Sequence, residues 1–171
     1  MHHTEPRVWS FYTADDTQFL NGSFIAFDDS RKTGDLLRLP AERGAFRAGF
    51  DDTVTASVFY RFAREVRVGD YVLLRTKHGA PVELGRVTGE YIYANGAHRR
   101  SVRWLRRLRF DEISSGAMRE LSYASASPLF EVKHYAFEFF SNLGISALPA
   151  PQNGTAAERF AARWSTRRMS A

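Results

Sequence analysis

The sequence predicts an α+β domain built around a small, curved or barrel-like mixed sheet, with helices at its margins. Three observations carry this expectation. Short runs rich in β-branched and aromatic residues follow one another in hairpin-like succession. Helical patterns fall between and after those runs instead of alternating with them one for one. A composition of 44% hydrophobic and 14% aromatic residues over 171 positions is enough for one cored domain, and it argues against disorder.

The elements can be justified in order. Arg7 to Thr13 reads as a first strand through Val8, Trp9, Phe11 and Tyr12. Ala14 to Leu20 is a short helix stopped by Asn21-Gly22, and Ser23 to Phe27 is a second strand. Asp28 to Phe50 is polar, with Gly34, Pro40, Gly44 and Gly49 marking loops. Thr53 then caps a helix to about Glu65, with Val54, Val58 and Phe62 at four-residue spacing. Strands follow at Asp70–Thr76 and Val82–Thr88 around a turn containing His78-Gly79-Ala80-Pro81, and at Tyr91–Ala94 and Val102–Phe110. Asp111 to Ser122 reads as a helix, Leu129 to Lys133 as a last strand, and His134 to Leu143 as a closing helix ended by Gly144. This gives one domain over residues 7–143. Residues 145–171 are a linker and basic tail, with room for one short helix through Phe160 and Trp164.

Composition excludes several function classes. The chain has no cysteine, so disulfides, thiolate metal sites and a cysteine nucleophile are absent. The histidines at 2, 3, 78, 98 and 134 show no zinc-ligand spacing, and neither a metal nor another cofactor is expected. No run is apolar for long enough to span a membrane, and the N-terminus lacks the apolar stretch of a signal peptide, so a cytoplasmic protein without membrane partners is expected. The net charge of +5 is unevenly spread, at −3 over residues 1–52 and +8 over residues 53–171. A basic face of this kind favours an anionic polymer as partner.

The most informative stretch is Leu84-Gly-Arg-Val-Thr-Gly-Glu-Tyr-Ile-Tyr-Ala94, with His98-Arg-Arg-Ser-Val-Arg-Trp-Leu-Arg-Arg-Leu-Arg109 close behind it. It joins a glycine-punctuated strand and paired tyrosines to six arginines with no acid among them. Arginines hold phosphates and aromatic rings stack on bases, so the combination suits a nucleic-acid surface. Together with Ile25-Ala-Phe27, Gly34-Asp35-Leu36, Tyr60-Arg-Phe62, Val68-Gly-Asp70 and Leu129-Phe-Glu-Val132, these motifs resemble the PUA-like, EVE-related domain at the N-terminus of Mrr-type, modification-dependent restriction endonucleases. That superfamily includes YTH and SRA domains. The resemblance implies a PUA-like fold and a reader that flips a modified base into an aromatic pocket, with 5-methylcytosine first and N6-methyladenine second. It also leads one to expect a Trp where Phe27 stands, and, since the resembling restriction enzymes continue into a nuclease domain, a separate nuclease or effector protein as partner.

The pocket residues expected on this basis are Trp9, Ser10, Phe11, Phe27, Asp28, Tyr91 and Tyr93. The expected backbone contacts are Lys77, Arg86, His98, Arg99, Arg100, Arg103, Arg106, Arg107 and Arg109. Each aromatic has core packing as its alternative, and Arg99 and Arg100 have a structural pairing with buried carbonyls or acids. Binding without catalysis is the expected activity, with duplex DNA as the partner. Two other readings stay open: an RNA-binding domain of the same fold, and a metal-dependent nuclease built on Asp111 with Glu131-Val132-Lys133, the order of a PD-(D/E)xK site.

Overall fold

The computed structural model describes residues 5–77, 80–122 and 127–144. The expected linker, the tail helix and two residues of the turn around Pro81 lie outside them. The strands are β1 (Val8–Tyr12), β2 (Phe24–Asp28), β3 (Tyr71–Arg75), β4 (Val82–Val87), β5 (Ile92–Ala94), β6 (Ala97–Leu108) and β7 (Leu129–Val132). The α-helices are α1 (Thr17–Gly22), α2 (Arg43–Arg47), α3 (Thr53–Tyr60), α4 (Ser115–Ser122) and α5 (Ala136–Asn142).

The strands form a curled half-barrel in the order β2-β6-β4-β3-β1-β7, with β5 pairing onto β6, and helices flank it. Among the described residues only β1 and β3 run parallel, and the long connection between them carries β2 to the far edge of the sheet. This mixed, curled sheet is the fold class expected from the sequence, and it is consistent with a PUA-like curved sheet. The twelve-residue β6 joins the β2–β5 edge to the rest of the sheet. Its first half pairs with β2 and β5 and its second half with β4.

Two cores lie on opposite faces of the sheet. Trp9, Phe11, Ile25, Val72, Val87 and Val102 face inward against α3 and the segment 36–50. Val8, Tyr71, Leu73, Val82, Leu84 and Leu108 face outward against α4 and α5. Gly85 is required by the inner layer. A Cβ there would lie 2.5 Å from Val102 Cγ1 and 2.7 Å from the Trp104 ring, so the two side chains occupy the space a substituent would need. The β4–β6 register then slips: Gly85 pairs with Trp104 and Leu84 with Arg106, leaving Leu105 unpaired. This bulge reverses the alternation along β6.

Helix α3 departs from regularity at its end, where Arg61–Glu65 forms a π turn. The Val66 N–H bonds the Arg61 carbonyl at 2.9 Å instead of that of Phe62, and the Arg67 N–H goes to Asp70 Oδ2 at 3.0 Å. The Phe62 and Ala63 carbonyls are thereby released from the helical ladder. Arg100 takes both, with Nε donating to Phe62 O at 2.7 Å and Nη2 to Ala63 O at 3.2 Å, while Nη1 reaches Gly89 O at 3.3 Å.

Local start signals differ in detail from expectation. Asp52, not Thr53, caps α3, since its carboxylate accepts from the Val54 and Thr55 amides. Glu42 does the same for α2, a five-residue helix inside the segment expected to be loop. Asp111 sits in a 3₁₀ turn before α4, and the Ser114 hydroxyl accepts from the Ala117 amide at the start of that helix.

Candidate nucleic-acid interface

Phe27 and His98 are cross-strand partners on β2 and β6, so their side chains share the inner face. The Phe27 ring lies 4.7 Å from Phe11, 5.1 Å from Phe62 and 6.1 Å from Phe59. His98 is 4.8 Å from Phe59, 5.9 Å from Tyr91 and 5.2 Å from Tyr93. These are spacings of rings in direct contact, so no base lies between them as packed. Phe27 is half-buried and Tyr93 exposed, and their open sides are the stacking surfaces this face offers.

A polar network fixes the segment beside these rings. Asp29 Oδ1 accepts from the Thr33 amide and hydroxyl, both at 2.7 Å, and Oδ2 accepts from the Gly34 amide at 2.7 Å and the Tyr93 hydroxyl at 3.0 Å. Burial alone pushes the Asp29 carboxyl up, but these four donors outweigh it and hold the pKa at about 2. The Tyr91 hydroxyl, whose pKa is pushed up to about 12 by burial, accepts from the Leu36 amide at 3.1 Å and lies 2.8 Å from His98 Nδ1. Donation from Tyr91 to Nδ1 satisfies both groups, and it places the imidazole hydrogen on Nε2. That nitrogen is fully buried, has no hydrogen-bond partner, and stands 3.8 Å from Asp29 Oδ1.

The network has a pH signature. Burial pushes the His98 imidazole below its ordinary 6.5, more strongly than Asp29 and Asp35 raise it. In the unfolded chain His98 takes up a proton near 6.5 that the folded chain resists, so stability falls as pH drops below that value toward the folded pKa. We expect the melting temperature to fall between pH 7 and 5, and His98→Gln to flatten the slope. An unchanged slope in the variant would place the sensitivity elsewhere.

On the outer face, the bulge brings together arginines that a regular strand would separate. Arg103 pairs in register with Arg86, and Arg106, opposite Leu84, falls on the same side. With Tyr71, Leu105, Asn142 and Leu143 they line a shallow groove of about 390 Å³. Arg86 leans over the Tyr71 ring at 5.8 Å. Arg103 is exposed and makes no ion pair among the described residues. Arg106 donates to Asn142 O at 2.5 Å and to Glu112 at 3.1 Å.

The structure separates the residues that the sequence grouped. Trp9, Ser10 and Phe11 belong to the interior: Trp9 Nε1 donates to Asp70 Oδ2 at 2.9 Å, Phe11 is packed under Phe27, and Ser10 accepts from Arg75. His98 and Arg100 are also buried, at 0% and 2% exposure, and their ring and guanidinium are unavailable to phosphate. Arg99 is half-buried over Phe24 at 4.7 Å. Arg107 pairs with Glu83 and Arg109 with Asp111, whereas Arg86 and Arg103 are exposed along the outer groove with no acid partner among the described residues. Lys77 is exposed in a different cleft, and Asp28 is exposed at the end of β2. The acids of the nuclease pattern are taken up separately, Asp111 by Arg109 and Glu131 by Arg7, and the described residues contain no cluster of three or more metal-ligating side chains. No helix among them is long and apolar enough to cross a membrane.

Asp29, Asp70 and Arg75 were not singled out from sequence. Asp29 had a legible signal, an Asp four and five residues before Thr33-Gly34, the pattern of a side chain that organises its own loop. No curated protein matches the chain. The family model described as Domain of unknown function (DUF8426) matches residues 31–125, more than half of the chain, and the protein belongs to that family.

Proposed function

We propose that this chain is a PUA-like reader of modified DNA, with 5-methylcytosine preferred to N6-methyladenine. An extruded base stacks on the open sides of Phe27 and Tyr93 at the inner face. The observation that carries the reading is His98 Nε2, a buried donor without a hydrogen-bond partner, in a ring 5.2 Å from that of Tyr93 and cross-strand from Phe27. Buried polar groups are nearly always satisfied, and an orphaned donor under accessible aromatic rings fits a site whose polar partner arrives with a ligand. The Asp29 and Tyr91 bonds hold the adjacent loop in place, so little ordering remains to be done on binding.

The outer arginines supply a different part of the affinity. Arg103 is five residues along β6 from His98, roughly 17 Å at the usual rise, and it points to the other face. Its contacts therefore attract the polymer without touching the base. If Arg86 and Arg103 each neutralise one phosphate, replacing both with alanine should flatten the log affinity–log salt slope by about 1.8 and weaken modified and unmodified duplexes alike.

The deciding experiment is a competition titration of matched duplexes carrying 5-methylcytosine, N6-methyladenine or no modification, with structured RNA as a further competitor. One buried methyl contributes about 0.8 kcal/mol, so at least a fourfold preference for the modified duplex is expected. Equal affinity for all duplexes would remove the reader function, and RNA displacing every duplex would replace DNA with RNA.

A further inference from the structure

Arg75, at the end of β3, is placed where a guanidinium is hard to accommodate. Its Nε donates to the buried Ser10 hydroxyl at 2.5 Å, and its Nη2 is buried with no partner. No carboxylate pairs with it among the described residues. Its nearest electron-rich neighbours are the Tyr12 ring at 5.6 Å and the Phe130 ring at 5.9 Å. A charge removed from water without a counter-ion is a cost to the fold, which structures tolerate where an anion supplies the missing partner. Desolvation lowers the Arg75 pKa to about 10, so it remains a cation at neutral pH.

Arg75 lines a cleft of about 370 Å³ between the end of β3 and α4. That volume lies within the range of small-molecule sites. Lys77 is the second cation on its wall, Thr76 adds a hydroxyl, and Tyr12, Met118 and Leu121 provide ring and apolar surface. Among the described residues, no acid lines the cleft. Arg75 shares the outer face with Tyr12 and Leu73, so the site is distinct from the Phe27 and His98 surface.

We infer that the Arg75 cleft binds a phosphate monoester, carried by a nucleotide or by the phosphorylated end of a nucleic-acid strand. The two cations match the charge of about −1.5 to −2 that such a group bears at neutral pH, whereas a carboxylate would leave one of them unbalanced. The planar guanidinium fork suits phosphate oxygens, and Tyr12 offers a face for the attached base. This inference goes beyond the reader function and does not depend on it.

Calorimetry and thermal melts with a nucleoside monophosphate, its nucleoside and inorganic phosphate test the site, and 5′-phosphorylated against 5′-hydroxyl oligonucleotides distinguish the two sources. The monophosphate should bind and raise the melting temperature while the nucleoside does neither, and affinity should rise from pH 5.5 to 7 as the phosphate loses its second proton near 6. Arg75→Met should fold at least as well as the parent, because an apolar side chain replaces an uncompensated charge, and should lose tenfold or more in affinity. Lys77→Ala, on the exposed rim, should lose severalfold, and Phe27→Ala should bind the monophosphate unchanged. Nucleoside binding as tight as monophosphate binding, or no phosphate probe stabilising the protein at millimolar concentration, overturns the inference. So does unchanged affinity in Arg75→Met or, if that variant does not fold, in Lys77→Ala.

Discussion

Arg100→Ala is expected to lose roughly 2–6 kcal/mol of folding stability, a large share of the 5–15 kcal/mol typical of a domain. The reason lies in the π turn that ends α3. It redirects the Val66 and Arg67 amides and strands the Phe62 and Ala63 carbonyls, and Arg100 is the side chain that satisfies both. Each buried acceptor left unpaired costs about 1–3 kcal/mol, and the loss of the guanidinium over the Phe62 ring adds to that. Arg100→Lys should fall between the two, since a single ammonium cannot reproduce a fork that reaches three carbonyls. Arg103→Ala, three residues along β6 on the other face and exposed, should stay within about 0.5 kcal/mol of the parent. Urea denaturation of the three variants measures all of this. A loss below 1 kcal/mol in Arg100→Ala would mean that water or a local shift satisfies the carbonyls instead.

Arg99 and Arg100 also show what the sequence could and could not tell. His98, Arg100, Val102 and Trp104 alternate along β6, and the apolar character of the last two marks their face as the inner one. Followed strictly, period-two alternation places Arg100 inside and Arg99 outside, and that information was present in the residues. The Leu105 bulge was not, because it depends on how Gly85 lets Trp104 and Val102 approach β4, a contact between segments distant in sequence. That Arg103, Arg106 and Arg86 share one face was illegible for the same reason. Strands rich in Val, Ile and aromatics were found to within a residue or two, whereas the 12-residue β6 was expected only from Val102 because its polar first half hides the alternation. The short α2 was missed because five residues carry too little periodicity to separate a helix from a loop. From sequence, Asp70 is only the first residue of a strand. Its role in holding Trp9, Arg7 and Arg67 needs the folded β1–β3 pair to be seen.

Phe27→Ala is expected to lower affinity for a duplex carrying the modified base by about 1–3 kcal/mol and to leave the weak, salt-sensitive binding of unmodified duplex nearly intact. The magnitude follows from the stacking surface that is removed, and the selectivity follows from position, because Phe27 is on the inner face and the arginine groove on the outer one. Phe27 also packs against Phe11 and Phe62, so its truncation costs some stability, and a thermal melt must show that the variant is folded at the titration temperature. Phe27→Leu provides a second comparison, retaining much of the apolar volume while deleting the ring. If the ring acts by stacking, both variants lose selectivity; if it acts only as core, Leu restores what Ala loses. Combining Phe27→Ala with Arg103→Ala gives the sharper test. Sites this far apart and on opposite faces should contribute independently, so the two affinity losses should add to within about 0.5 kcal/mol. A larger coupling would show that one nucleotide touches both residues, and the separation of base recognition from backbone attraction would then fail.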